Sequence, residues 1–179
     1  GQFEELFGGA PTTKFNIESD DSAVGFKLSF VEDSKFLLYS SMRLFYANGG
    51  ADCYIVSVGS YDEKIDAAKL NDPKGGGLTA LEKFLEPTIV LIPDAILLDE
   101  NDCYSLQAAM LQHCGYKLKN RFAILDVYKG ANERTFDDDD AVDKFRNGVG
   151  SNFLQWGASY YPFLNKTIVS KSEVDFTRI

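Results

Sequence analysis

The chain has 179 residues, 45% of them hydrophobic and 25% charged, a composition that is typical of one globular domain and excludes wholesale disorder and fibrous repeats. Its 18 basic and 27 acidic side chains give a formal net charge of −9, which argues against binding to nucleic acid or anionic lipid, because both need a positive field. Its apolar runs are far shorter than the roughly 18 residues that span a bilayer, so we predict no membrane insertion. No secretory signal opens the sequence, so we expect a soluble protein that is intracellular at synthesis.

The N-terminal part of the chain is predicted to form a short helix at Phe3–Phe7. An antiparallel pair of strands is predicted to follow it, at about residues 14–31. Phe15–Ile17 and Val24–Phe30 have the composition of strands, and the polar segment Glu18–Ser22 joins them. A helix should follow, because Ser34 can cap it and apolar residues recur at positions 38, 42 and 45. Gly49-Gly50 then supplies the left-handed stop of that helix.

The rest of the chain alternates short β-branched runs with segments of helical period. Four runs are predicted as strands: Cys53–Val58, Thr88–Ile92, Arg121–Asp126 and Gly157–Tyr161. Their nearly continuous apolar character indicates a mainly parallel sheet with helices on both faces, a doubly wound α/β fold. A further strand is expected at Lys166–Ser170, and the chain is expected to stop inside a larger protein soon after it.

Three helices are predicted between these strands, each with its own start or stop signal. They are 77–86 with a stripe of Leu78, Leu81 and Leu85; 103–114, capped by Asp102 and ended by Gly115; and 141–148, ended by Gly148.

Four consecutive acids, Asp137–Asp140, precede the last of these helices. Such a run could be read as a metal site, but neighbouring side chains on a helix diverge by about 100° and cannot all converge on one cation. The spacing of a calcium loop is also absent. We interpret the run as a solvated helix cap that satisfies backbone N–H groups and complements the helix dipole.

The search for catalytic groups finds little. His113 is the only histidine, and its place near the end of a helix favours a packing role over a catalytic one. Cys53, Cys103 and Cys114 are too few and too scattered for a disulfide framework or a zinc site, and Cys103 and Cys114 are predicted to lie in the core. We therefore predict no catalytic residue, no metal site and no cofactor.

One arrangement leaves an alternative open. Asp94 and Asp126 follow or end predicted parallel strands, and α/β sheets bind ligands outside the carboxyl ends of their strands. Two acids at that edge could hold magnesium or act as acid and base. An α/β enzyme or small-ligand-binding domain that uses Asp94 and Asp126 is therefore the alternative function; the simpler reading is that both residues begin loops or cap helices.

Five segments in sequence order resemble the sheath protein of contractile phage tails and related contractile injection systems. They are Phe3–Gly9, a helix and a glycine pair; Phe45–Val56, a helix, a glycine stop and a strand; Ile89–Asp94; Arg121–Asp126; and Ala158–Leu164, an aromatic block. Together they extend over about residues 3–164. Tyr46 and Phe163 depart from the family pattern as aromatic replacements that preserve packing.

The resemblance implies a subtilisin-like doubly wound core without the catalytic residues of a protease, and a mechanical function without catalysis. Sheath subunits polymerise helically around an inner tube, and they contract by rearrangement so that the tube is driven through a target envelope. The implied partners are other copies of the chain, the inner tube protein, and baseplate and tail terminator proteins. The implied location is the bacterial cytoplasm during assembly and then the virion tail or injection-system sheath.

The resemblance also implies a division of the chain. Residues 1–165 would form the sheath core domain, and 166–179 would begin a truncated C-terminal region. Because sheath subunits carry extended arms at both ends, we expect that this chain alone does not form tubes.

Overall fold

The computed structural model describes residues 1–21, 24–31, 35–169 and 173. The chain forms two compact units. The described residues of the first unit lie within Gly1–Ala51, Ser60–Lys64 and Lys166–Ile179, and the second unit comprises Asp52–Gly59 and Ile65–Asn165. The division into 1–165 and 166–179 stays a prediction.

The first unit contains a β-hairpin between two helices: α1 (Gln2–Phe7), β1 (Phe15–Ser19), β2 (Phe26–Phe30) and α2 (Leu38–Ala47). The two strands are antiparallel, with Phe15 opposite Phe30 at one end and Ser19 opposite Phe26 at the other. The ring centroids of Phe15 and Phe30 lie 5.0 Å apart, so an aromatic cross-strand pair stabilises the open end of the hairpin. The predicted antiparallel pair is confirmed.

Helix α2 ends as the sequence predicts. The N–H of Gly50 donates to the carbonyl of Phe45 at 2.9 Å, and the N–H of Gly49 donates to that of Tyr46 at 3.1 Å. Gly49 has φ 86°, the left-handed conformation that glycine adopts without steric cost. These two bonds form a Schellman motif, which satisfies carbonyls at the end of the helix. The predicted cap at the other end, Ser34, lies outside the described residues.

The second unit is built around a parallel sheet. Its helices and strands are α3 (Ala67–Leu70), α4 (Gly77–Ala80), β3 (Ile89–Leu91), α5 (Glu100–Gln112), β4 (Phe122–Asp126), α6 (Ala141–Val149) and β5 (Gly157–Tyr160). The strand order is β3-β4-β5, and both pairs are parallel. An α/β fold with a parallel sheet and a separate antiparallel pair is therefore confirmed.

The two faces of this sheet differ in burial. Val90, Ala123 and Leu125 are at most 4% exposed and pack in the main core cluster with Met110 and Leu111 of α5. The opposite face follows the alternate residues of the same strands. There Ile89 and Leu91 are 61% and 52% exposed. Helical cover on this second face, as in a doubly wound fold, stays a prediction.

The helical segment that starts with α5 and continues as a π-helix is longer than predicted at both ends. It begins after Asp99, whose carboxylate accepts the N–H of Asp102 at 2.9 Å, so the predicted cap Asp102 is wrong by three residues. Gly115 does not end the helix, because the chain continues as a π-helix from His113 to Leu118. A Cβ on Gly115 would lie 2.6 Å from the Trp156 ring, so this glycine permits close packing and does not form a stop.

The predicted end of helix α6 is wrong for the same reason as that of α5. Gly148, the predicted stop, lies inside the helix, and a Cβ on it would collide with the ring of Tyr104. Gly150, at φ 77°, follows the last helical residue. The predicted helix 77–86 is shorter, since α4 is followed by a 3-10 helix, Leu81–Lys83, and Leu85 of the expected stripe is 70% exposed.

Two predicted strands are wrong among the described residues. Residues 53–58 have a strand composition, but they form no ladder with another described segment. A strand is defined by that ladder, which composition alone does not supply. The described part of the predicted strand Lys166–Ser170, residues 166–169, is irregular as well. The other strand predictions in the second unit are confirmed with shortened ends.

Candidate functional site

The carboxyl end of the sheet was the place predicted for a ligand. Asp126 is the last residue of β4, and burial raises the pKa of its carboxyl group. Asp94 lies beyond β3 in the 3-10 helix Pro93–Leu97. A pocket of about 410 Å³ opens beside Asp126, lined by Asp126, Tyr160, Tyr161, Pro162, Phe163 and Leu164. Asp94 is not part of this lining, so the pocket presents one of the two predicted acids.

The pocket is lined mainly by aromatic and apolar side chains, and Asp126 is the one acid among them. Its described lining contains no basic side chain, so a phosphate or carboxylate ligand would meet no opposite charge there. Gln107, on α5, donates from Nε2 to the backbone oxygen of Asp126 at 2.6 Å and fixes the end of the strand. A carboxyl group of raised pKa in such a cleft could serve as a general acid for a neutral or cationic ligand.

The only histidine is part of a buried polar cluster. His113 is 2% exposed, and its Nε2 lies 3.3 Å from Nη1 of Arg121, which is itself 2% exposed. Arg121 also donates to the carbonyls of Leu81 and Phe84. Burial and the neighbouring guanidinium lower the pKa of His113 to about 4. The imidazole is therefore neutral at pH 7 and accepts a hydrogen bond from Arg121.

This cluster joins the 3-10 helix after α4 to the start of β4. Glu82 Oε1 lies 2.6 Å from Lys117 Nζ and 3.9 Å from His113 Nδ1. The sequence predicted packing for His113, and its burial agrees with that prediction. Sequence reasoning placed Arg121 at the start of a strand and missed its role, because only the fold brings the two carbonyls toward its guanidinium.

Two of the three cysteines lie in the core, as predicted. Cys103 and Cys114 are completely buried, and burial raises their pKa values to about 12 and about 11. Cys53 is exposed. Among the described residues, no group of three or more His, Cys, Asp or Glu side chains is placed to hold a metal ion.

Of the four acids that precede α6, Asp137, Asp138 and Asp139 are exposed and Asp140 is buried. Asp140 is the N-cap of α6: its side chain accepts the N–H groups of Val142 and Asp143 at 3.0 and 3.2 Å. It is completely buried, and Arg134 Nε donates to both of its oxygens at 2.7 Å. This ion pair lowers the pKa of Asp140. The cap is confirmed, although this member of the run is buried and not solvated.

Asp140 also orders the loop that precedes the helix. Its Oδ2 accepts the N–H groups of Thr135 at 2.9 Å and Phe136 at 3.1 Å. Phe136 has φ 57°, which costs a bulky residue about 1–3 kcal/mol, and its side chain is 77% exposed. The guanidinium of Arg134 lies 4.5 Å from the centroid of its ring. The loop thus holds a large apolar side chain toward solvent, a feature that the sequence pattern did not indicate.

The second unit also exposes an apolar surface on its sheet. Ile89 and Leu91 lie on the same face as Phe122 and Ile124, their neighbours in the ladder, and Tyr160 follows on β5 with 70% exposure. Contiguous exposed apolar surface on ordered strands is typical of sites where proteins bind one another. We refer to these five residues as the open sheet face.

No protein-family model matches the sequence, and no curated protein matches it either. Among the described residues, no helix has the length and hydrophobicity that crossing a membrane requires.

Proposed function

We propose that this chain is the core of a sheath subunit of a contractile phage tail or a related injection system. In this role it polymerises with other copies around an inner tube, contacts baseplate and terminator proteins, and works by rearrangement of its contacts without catalysis. The five sequence segments that resemble the sheath family support the assignment to that family. The subtilisin-like, doubly wound arrangement of its core is part of the same proposal.

The open sheet face is the structural observation that favours an assembly protein. Burying an apolar side chain stabilises an interface by roughly 25 cal/mol for each Å² removed from water, so exposed apolar side chains on a rigid sheet favour association. The strands that carry Ile89, Leu91 and Tyr160 are paired in a ladder, so these side chains are presented by ordered backbone. A sheath subunit needs such surfaces because each copy contacts several neighbours.

Contraction without nucleotide would draw its free energy from the difference between two packings of the same rigid subunits. Such a change requires a rigid core and contacts that can be broken and remade. The surface of this chain, with a net charge of −9 and both signs of charge present, fits that requirement, because exposed ion pairs each contribute little and exchange easily. The subunit would then remain folded throughout the stroke.

The proposal is tested by expressing the complete product of the gene that encodes this segment and examining it by negative-stain electron microscopy. We expect hollow tubes of helically arranged subunits. A complete product that stays monomeric, also when its neighbouring genes are co-expressed, would contradict the proposal.

The alternative, an enzyme or small-ligand-binding domain, is favoured by the aromatic pocket beside Asp126. Asp126→Asn separates the two functions, since it removes the one acid of that pocket while keeping its shape. A ligand or activity lost in this variant would support the alternative with Asp126 at its centre. Asp94→Asn serves as the matched comparison, because the alternative as first predicted requires both acids. Tube formation that is unchanged in both variants would favour the sheath function.

A further inference from the structure

An apolar groove lies between α6, the end of α5 and the edge strand β5. Its volume is about 200 Å³, and apolar side chains form most of its wall, among them Leu111, Leu125, Phe145, Val149 and Leu154. An enclosed apolar cavity of about 150 Å³ is large enough to bind benzene. The groove therefore has room for one phenyl ring.

Two polar groups at the groove indicate what else its occupant should carry. The Arg146 side chain lines the groove and is 69% exposed; one Nη lies 3.3 Å from Asp143, which leaves other N–H donors toward solvent. The hydroxyl of Ser159 is buried in the lining, and no described residue is its hydrogen-bond partner. Buried hydroxyls usually have a partner, so an occupant that brings a polar group would satisfy it. The groove thus fits an aromatic side chain followed by acidic and polar groups.

The loop before α6 of the same chain has this chemistry. Phe136 is 77% exposed and is followed by Asp137, Asp138 and Asp139. Asp137 accepts hydrogen bonds within the loop, and Asp139, 88% exposed, pairs with Lys144 at 2.7 Å. The hydrogen bonds from Thr135 and Phe136 to the buried Asp140 hold the loop in one conformation. Little conformational freedom would be lost on binding, which favours affinity. We refer to Phe136–Asp139 as the knob.

The knob and the groove belong to different ends of α6. The knob precedes the first residue of this helix, whereas Val149 and Gly150, at its last turn, line the groove. The ring of Phe136 contacts the guanidinium of Arg134 in its own copy. A second copy of the chain is therefore the occupant that the groove can take from this sequence.

We propose that the knob of one copy inserts into the groove of the next, with the Phe136 ring among the apolar side chains and the carboxylate of Asp138 beside Arg146. The contact would be one of the lattice contacts of the sheath, and in that sense it rests on the proposed function. Because knob and groove are different surfaces, each copy offers both, and the association is head-to-tail and open. An open contact of this kind builds a filament one copy wide, whereas a two-fold contact stops at a dimer. Such a filament is not a tube, whose wall needs further contacts between filaments.

The experiment compares two variants of the 179-residue chain by sedimentation velocity over a range of concentrations. Phe136→Gly removes the ring, and glycine is compatible with φ 57° at this position. Leu154→Asp places an acid in the groove, on a side chain that is already 52% exposed, so we expect only a small loss of stability. We expect concentration-dependent growth beyond dimers for the wild type and association at least about tenfold weaker for each variant, as for central interface residues. Leu85→Ala, a 70% exposed leucine elsewhere, should associate like the wild type.

Mixing the two variants gives the decisive result. The Leu154→Asp chain keeps its knob and the Phe136→Gly chain keeps its groove, so an equimolar mixture should form 1:1 dimers that do not grow further. A second pair tests the charge: Arg146→Glu should weaken association, and Asp138→Lys in the partner copy should restore it. A single cooperative thermal unfolding transition verifies that each variant is folded. A monomeric wild type, variants that associate like the wild type, or a mixture that stays monomeric would each overturn the proposal.

Electron microscopy of the complete gene product separates this contact from the sheath function. Tubes that form equally well with Phe136→Gly would refute the knob-and-groove contact and leave the sheath function intact. Absence of tubes from the wild-type product, together with 1:1 dimers in the mixture, would refute the sheath function and leave the contact intact.

Discussion

His113 and Arg121 share a buried site in which two positive charges would repel each other at short distance. The structure resolves this with a neutral imidazole that accepts from the guanidinium. The other charged groups near His113 are Glu82, whose Oε1 lies 3.9 Å from Nδ1, and Lys117, which pairs with the same carboxylate. Protonation of His113 would therefore place a second cation beside Arg121 in a site that water does not reach.

The stability of the chain should consequently depend on His113 in mild acid. Its pKa falls from 6.5 to about 4 on folding, so the unfolded chain binds the extra proton first as the pH decreases. The contribution of neutral His113 to the free energy of unfolding is complete above pH 6.5. It is lost as the pH falls from 6.5 to 4, and the loss is about 3 kcal/mol. His113→Gln should lack this loss when urea unfolding is followed at each pH. A wild type and variant with parallel profiles would contradict this.

Asp140 responds to a different pH range. Its pKa is lowered on folding, so its stabilisation is present above the usual carboxyl value near 4 and decreases as the pH falls below it. Asp140→Asn should lower the thermal midpoint by several degrees at pH 7, and the difference from the wild type should shrink below about pH 4. Asp138→Asn, an exposed neighbour in the same run, should change neither quantity. Equal effects of the two substitutions would show that the buried ion pair with Arg134 is unimportant.

At the scale of elements, two helices in the second unit use glycine for contact. Gly115 lies in the π-helix against Trp156, and Gly148 lies in α6 against Tyr104. Both allow the helix backbone to approach an aromatic ring more closely than any side chain would permit. Gly49 in the first unit is different, because its left-handed backbone conformation does end a helix.

Gly148→Ala tests the contact role. In an exposed helix position this change would stabilise the protein by about 0.5–1 kcal/mol. Here the new Cβ collides with Tyr104, so we expect a net loss of about 1–3 kcal/mol, as for overpacked cores. Asn147→Ala in the same helix, at an exposed position, should be neutral or slightly stabilising. Urea unfolding of both variants measures the difference, and a more stable Gly148→Ala protein would contradict the packing role.

These glycines show which parts of the fold can be predicted from sequence patterns and which cannot. Local patterns predicted the confirmed strands and the approximate place of every helix except the short α3, because apolar periodicity is a property of the segment itself. They did not distinguish a stop glycine from a contact glycine, since the rings of Tyr104 and Trp156 come from distant parts of the sequence. The strand predicted at residues 53–58 was wrong for a similar reason. A strand requires a partner from elsewhere in the chain as well as a β-branched composition, and composition does not show whether the fold supplies one.

At the scale of the whole molecule, the candidate site was less predictable than the fold. The acids Asp94 and Asp126 were correctly placed after neighbouring strands, but only Asp126 lines a pocket. Arg121, Arg134 and Phe136 were missed because their roles depend on carbonyls, a buried carboxylate and an unusual φ that the fold creates. One available signal was the pairing of an arginine with an aromatic residue just before an acidic run.

The open sheet face can be tested for its contribution to folding and to assembly. Leu91→Asn should change the free energy of unfolding by no more than about 0.5 kcal/mol, because the side chain is already 52% exposed. The same change should reduce tube formation by the complete gene product if copies bind through this face. Val90→Asn, on the buried side of the same strand, should destabilise the chain strongly. A large loss of stability from Leu91→Asn would show that the face is covered in the folded protein.

The distribution of the three thiols has a practical consequence. Cys103 and Cys114 are inaccessible and their pKa values are raised, whereas Cys53 is exposed. The reactive form of cysteine is the thiolate, so a maleimide fluorophore added to the native protein should couple at Cys53 and spare the other two. One dye per molecule at a known position would allow energy transfer between labelled copies to report distances within an assembly, and would reveal whether those distances change as the proposed function requires.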